Sequence, residues 1–217
     1  LHVSIGALIL AALNLLAGGA IEGRVSLPLK AKPAVSPARY ESRPGAVART
    51  SAPPAAVVYV EANFLPKHAT NRTVTAKMIQ REFQFLPAVL PIQTGSAVEF
   101  PNEDNDYHNV FSYSKPRRFD LGRYRKDEKP AAVVFDKPGV VKLYCEIHEH
   151  MRATILVLDT PHFVRTDADG SYRLTDLPPG QYKLKAWLDE NRVFERAVAV
   201  REGETEREDF GGSGGGG

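Results

Sequence analysis

In the stretch Val140-Val141-Lys142-Leu143-Tyr144-Cys145-Glu146-Ile147-His148-Glu149-His150-Met151-Arg152-Ala153-Thr154-Ile155-Leu156-Val157-Leu158, two β-prone runs enclose a short polar loop. The first run alternates apolar and polar residues and follows the turn signal Lys137-Pro138-Gly139; the second, from Ala153 to Leu158, is apolar and β-branched. A loop this tight between two strands holds Cys145, His148 and Met151 together at one end of a β-layer. In isolation, such residues are as compatible with ordinary core and surface roles as with a site. The flanking strands set this group apart.

A second histidine belongs to the same reading. His108-Asn109-Val110 follows the turn-like run Pro101-Asn102-Glu103-Asp104-Asn105-Asp106 and opens another strand. Cys145, His108, His148 and Met151 supply one thiolate, two imidazoles and one thioether. Soft sulfur with imidazole selects copper over hard cations, and a trigonal His2Cys set with a long axial Met serves one-electron transfer. Zinc also accepts Cys and His. His150, between two of these residues, is either a solvent-facing loop residue or a substitute ligand. His2, His68 and His162 have no partner at metal-ligand spacing.

Gly95-Ser96-Ala97-Val98-Glu99-Phe100-Pro101-Asn102, then His108-Asn109-Val110-Phe111-Ser112, then Pro138-Gly139 before Cys145, together resemble a cupredoxin of the amicyanin and plastocyanin kind. With two residues between Cys145 and His148 and two between His148 and Met151, the loop is closest to the short amicyanin type. The resemblance implies a Greek-key β-sandwich over 73–159. It also implies one copper per chain, with His108, Cys145 and His148 as equatorial ligands, Met151 as the weak axial ligand, and Asn109 tying the two ligand loops together.

Composition bounds the alternatives. With 217 residues and 43% apolar content, the chain can bury a real core as one large or two small domains. A formal charge of +2, without a basic motif interleaved with aromatics, gives no indication of nucleic acid. A single cysteine excludes an intrachain disulfide, and in an exported chain a lone thiol asks for a role that metal ligation supplies. Export is expected from the apolar run Val3 to Leu16 and the small residues Ala17-Gly18-Gly19-Ala20, which read as a signal peptide over 1–20 cleaved after Ala20. The run is shorter than the roughly 20 apolar residues of a spanning helix. Contact with a membrane is expected only if this segment stays uncleaved. The expected compartment is the bacterial periplasm.

Outside 73–159 the pattern changes. Residues 29–54 are rich in Pro, Ala, Ser and Arg and read as a loose loop, and 211–217 as a flexible Gly-rich tail. Thr166-Asp167-Ala168-Asp169-Gly170-Ser171-Tyr172 and Leu177-Pro178-Pro179-Gly180-Gln181-Tyr182 are turn signals between alternating strands. Together with Gly23-Arg24-Val25, Ala56 to Val60 and Gly203-Glu204-Thr205, they resemble the carboxypeptidase regulatory-like module, a smaller transthyretin-like β-sandwich. The first two pieces precede the cupredoxin-like region and the rest follow it. The expected organisation is therefore a discontinuous sandwich, 21–61 plus 160–210, with the other inserted; two sequential β domains are the alternative. The Asp167-Ala168-Asp169-Gly170 run is a turn rather than a calcium loop, because Pro178 stands where a bidentate Glu is required.

The expected fold class is all-β, and the expected function is one-electron transfer by a mononuclear type 1 copper centre, without enzymatic turnover. Copper binding or delivery, and a structural or glycan-binding β protein with incidental metal, are the alternatives. Residues 115–129 carry seven basic and three acidic side chains, net +4. That run reads as a solvated strand-connecting loop, or as a docking patch for an acidic redox partner.

Overall fold

A computed structural model describes residues 18–28, 54–61 and 74–211. The run at 3–16, the Pro-rich loop from 29 to 53, the polar stretch at 62–73 and the tail from 212 onward lie outside the described residues. The described chain is all-β. Its strands are β1 (Gly19–Arg24), β2 (Val57–Val60), β3 (Thr75–Lys77), β4 (Ile79–Arg81), β5 (Gln84–Leu86), β6 (Val89–Gln93), β7 (Ala97–Glu99), β8 (His108–Ser112) and β9 (Phe119–Tyr124). They continue with β10 (Val133–Val134), β11 (Gly139–Tyr144), β12 (Arg152–Leu158), β13 (Phe163–Arg165), β14 (Ser171–Leu177), β15 (Gly180–Asp189), β16 (Arg192–Val200) and β17 (Thr205–Arg207).

One group of strands encloses a single core. A five-stranded sheet in the order β6-β12-β11-β8-β9 faces a three-stranded sheet β10-β7-β3, with the β4-β5 hairpin beside them. Phe85, Ile92, Val98, Phe100, Val110, Phe135, Val141, Leu143 and Ile155 fill the space between, and Met78 joins them from the break between β3 and β4. Strand periodicity explains the filling of β11. Successive side chains point to opposite faces, so Val141, Leu143 and Cys145 go inward while Lys142 stays exposed. The alternation that makes β11 a strand therefore also turns the Cys145 thiol into the end of the core.

The remaining strands build a second pair of sheets, β13-β2-β15-β16 and β14-β1-β17. β1 pairs antiparallel with β14 and parallel with β17, and β2 pairs antiparallel with β13 and β15. Ile21, Val58, Val60, Leu174, Leu177, Leu184, Val198 and Phe210 form its core. Residues near the start of the chain are thus laddered to residues near its end. Gly170, at φ +88°, turns the chain between β13 and β14, its N–H donating to Asp167 O. A Cβ there would lie 2.1 Å from Val25 O, so only glycine fits against the end of β1.

Several boundaries differ from the sequence reading. The run from Thr73 to Ile79 is broken at Met78, whose N–H bonds to Glu99 O, giving β3 and β4 instead of one strand. β1 begins at Gly19, so Gly19 and Ala20, expected at the cleavage point, are strand residues; Ala20 N–H donates to Glu204 O. The largest difference is β9, which lies inside the charged run expected to be a connecting loop. Its inward residues Phe119 and Leu121 pack on the core while Asp120 between them and Arg123 beyond point outward, so the charged run around them hides the alternation.

The two sandwiches meet at a small apolar cluster of Val57, Leu156, Leu158 and Trp187, flanked by Tyr59, Val89, Val140 and Phe163. β12 serves the first core and the junction together, since Ala153, Ile155 and Val157 face the first core and Leu156 and Leu158 face the junction. Burial on both faces is why its sequence is a continuous apolar run. Trp187→Ala is expected to lower the unfolding free energy by about 3–5 kcal/mol. The exposed Val193→Ala should change it by less than about 0.5 kcal/mol. Urea titration followed by far-ultraviolet circular dichroism measures both.

Candidate metal centre

The β11–β12 ladder runs in unbroken register from Gly139↔Val157 to Tyr144↔Arg152. It leaves only residues 145–151 to cross from one strand to the other. Met151 N–H donates to His148 O at 2.9 Å and closes this loop. Cys145 is 4% exposed and Met151 1%, both buried in the first core, while His148 is half-buried and His150 exposed. His108 arrives from the first position of β8, fully buried.

The structure brings three donors together. One ligand atom each from His108, Cys145 and His148 lies within 4.8 Å of the others. The Nδ1 atoms of His108 and His148 face each other at 3.1 Å, and Cys145 Sγ is 3.8 Å from His148 Nδ1. With bonds of the length zinc makes, about 2.05 Å to nitrogen and about 2.3 Å to sulfur, trigonal angles would separate two nitrogens by about 3.6 Å and sulfur from nitrogen by about 3.8 Å. The sulfur–nitrogen separation matches this arrangement, while the two nitrogens stand about 0.5 Å closer than it requires and would have to part slightly around an ion. Met151 is buried in the same core as Cys145, and His150 stands outside the three-donor cluster, its ring 6.1 Å from that of His148. His162 belongs to the second sandwich, where its carbonyl accepts from Val60 N–H; His2 and His68 lie outside the described residues.

Neighbouring groups prepare the donors. Burial pushes the Cys145 thiol up, but a hydrogen bond with His108 and the backbone N–H groups of Asn109, His148 and Ile147 outweigh it, so its pKa lies below the ordinary value. For His148, burial and the neighbouring His108 and His150 depress the imidazole, which favours the neutral ring that binds metals. Burial lowers His108 as well, but its bonds to Cys145 and Asp104 raise it overall. His108 Nε2 lies 2.7 Å from Asp104 Oδ2. A carboxylate can only accept, so Nε2 carries a proton toward Asp104, and Nδ1 is the nitrogen left to face His148, able to bind a metal once its own proton is lost.

Asn109 is fixed from two sides. Its Nδ2 donates to Asp120 Oδ1 at 2.7 Å and to Gly122 O at 3.0 Å, where β9 bulges against β8. Its Oδ1 accepts from Glu146 N–H at 3.4 Å, a long contact that joins β8 to the Cys145 loop. Arg123 on β9 pairs with Glu146 from outside. The sequence reading missed two residues of the site, Asp104 and Phe83. The signal for Asp104 was its position four residues before His108 in an acidic turn; Phe83 comes from a separate hairpin and left no signal.

Comparison with known proteins gives two likenesses. The family model of the carboxypeptidase regulatory-like domain matches residues 151–211. Among solved structures, the copper-containing nitrite reductase from Thermus scotoductus SA-01 is 25% identical over 43% of this chain, at a TM-score of 0.37. This chain spans 25% of that one. A novel purple cupredoxin from Nitrosopumilus maritimus is 23% identical over 38% of this chain and 98% of its own, at a TM-score of 0.34. Amicyanin from Paracoccus versutus is 22% identical over 46% of this chain and 90% of its own, at a TM-score of 0.33. No curated protein matches the chain in sequence. The chain is thus similar to cupredoxins over part of its length and to the carboxypeptidase regulatory-like domain at its C-terminal side.

Removing the Asn109 side chain tests its part in holding the loop. Asn109→Ala leaves Glu146 N–H without its acceptor and frees Asp120, and should cost about 1–3 kcal/mol of stability in the metal-free protein, measured by urea titration.

Proposed function

We propose that this chain is a mononuclear type 1 copper protein that passes single electrons between redox partners and has no turnover of its own. The observation that carries the reading is the convergence of His108, Cys145 and His148 at the buried end of one sandwich. These three residues would hold one copper in the trigonal plane, and Met151 would supply the weak axial contact. Copper held there takes up and releases one electron. The protein's share is to keep the donors still as the charge changes. The β11–β12 ladder fixes both ends of the loop, Asp104 fixes the His108 ring, and the core packs around Cys145 and Met151. A donor set that hardly moves lowers the cost of reorganisation.

Burial also weighs against a delivery role. A carrier that hands metal onward needs its sulfur ligands within reach of the acceptor, whereas Cys145 and Met151 are almost completely enclosed. His148, half-buried beside the exposed Ile147, is the ligand nearest solvent and the natural exit for an electron. Around it we place an acidic redox partner, drawn by the excess of basic residues in 115–129. We further propose a cupredoxin domain at 73–159 inserted in a regulatory-like sandwich of 21–61 plus 160–210. A leader ahead of β1, ending before Gly19 rather than after Ala20, would direct the chain to the periplasm, and 211–217 would be a tail.

Addition of Cu(II) to the purified protein tests the reading. An intense visible thiolate-to-copper band, an electron-paramagnetic signal with narrow copper splitting and a reversible one-electron wave are expected, and Cys145→Ser should abolish all three. A wild-type protein without the band, or a variant that keeps it, refutes the assignment.

A further inference from the structure

The loop before β8 and the β4–β5 hairpin are bound together more tightly than a surface hairpin requires. β4 and β5 pair from Ile79↔Leu86 to Arg81↔Gln84, so the turn between them is Glu82-Phe83. Both residues have positive φ, 53° and 57°. A two-residue turn with both φ values positive calls for Asn or Gly; here it is made of two residues that enter this conformation only at a cost. Such a conformation persists when its surroundings over-determine it. The surroundings here are one carboxylate. Glu82 N–H donates to Asp104 Oδ1 at 2.7 Å and Phe83 N–H to Asp104 Oδ2 at 3.0 Å.

The same Asp104 Oδ2 accepts from His108 Nε2. Asp104 is itself held, its N–H donating to Asn102 Oδ1 at 2.9 Å, while Asn102 Nδ2 reaches Asp106 O and Tyr124 O. Gln80 N–H donates to Pro101 O and Glu103 N–H to Gln80 O, which fastens β4 along the loop. The product of this bracing is the position of one ring. Phe83 stands edge-on to His108 at 5.6 Å between centroids and to His148 at 5.0 Å, and so touches both imidazoles.

We propose that Asp104 is the positioning residue of this centre. It orients His108 and, through the Glu82-Phe83 turn, holds the Phe83 ring over both histidines as a cover that keeps small anions off the metal. The inference rests on the copper reading above. Asp104 adds a negative charge beyond a ligand, which favours the oxidised ion. Phe83 adds no charge and acts by occupying space. The two residues therefore separate in their effects.

The experiment uses the full copper-loaded chain as wild type, Asp104→Asn and Phe83→Ala. Chelator competition, potentiometry, and azide titration followed by visible and electron-paramagnetic spectra are the readouts. Wild type is expected to ignore azide. Asp104→Asn is expected to bind copper about 10–100-fold more weakly, the range for loss of a partner to a ligating histidine. Its reduction potential should rise and its spectra should respond to azide. Phe83→Ala should respond to azide while losing less copper affinity than Asp104→Asn, since both imidazoles and the Asp104 carboxylate remain, and it tests the cover even if Asp104→Asn does not fold. The proposal is overturned if Phe83→Ala excludes azide as wild type does, or if Asp104→Asn loses thermal stability while affinity, potential and azide response stay unchanged. A wild-type protein without the thiolate band is a different result, and it removes the copper reading itself.

Discussion

The unbroken antiparallel ladder between β11 and β12 is the constraint on which the rest of the structure depends. Its register leaves seven residues to turn the chain, so Cys145, His148 and Met151 have to lie at one end of the sheet. Because β11 alternates, the same register sends Val141, Leu143 and Cys145 to one face, into the core. Because β12 is apolar on both faces, it also holds the second sandwich through Leu156 and Leu158. A shift of register by one residue would turn either Cys145 out of the core, if β11 slips, or Leu156 and Leu158 out of the junction, if β12 does.

Much of this was legible in the residues. β8, β11 and β12 lie close to where alternation and turn signals set them, and three of the four expected donors form one cluster. β9 was not legible, since its inward Phe119 and Leu121, with Asp120 between them, sit in the middle of a charged run that reads as solvated. Asp104 was obscured by its acidic company: Glu103, Asp104 and Asp106 look alike in sequence, and only the fold aims one of them at His108. Phe83 was beyond reach because its contacts depend on a turn that its residue types do not call for, imposed by hydrogen bonds from a loop about twenty positions later.

The centre is thereby supported from three separated parts of the chain. The loop at 145–151 carries the sulfur and one imidazole, β8 carries the other imidazole, and the β4–β5 hairpin closes the side between them. Asn109 and Asp104 link these parts, one through amide contacts to β9 and Glu146, the other through a carboxylate shared by His108 and a strained turn. The second sandwich touches this assembly through the far end of β12, at Leu156 and Leu158, on the other side of the sheet from the ligand core. That placement leaves the His108, Cys145 and His148 cluster clear of the junction between the sandwiches.

X-ray absorption at the copper edge of the copper-loaded chain tests the central claim most directly. The account predicts one short copper–sulfur bond with two imidazole nitrogens in wild type, and loss of that sulfur in Cys145→Ser. Coordination by nitrogen and oxygen alone in wild type, or an unchanged spectrum in the variant, would contradict it.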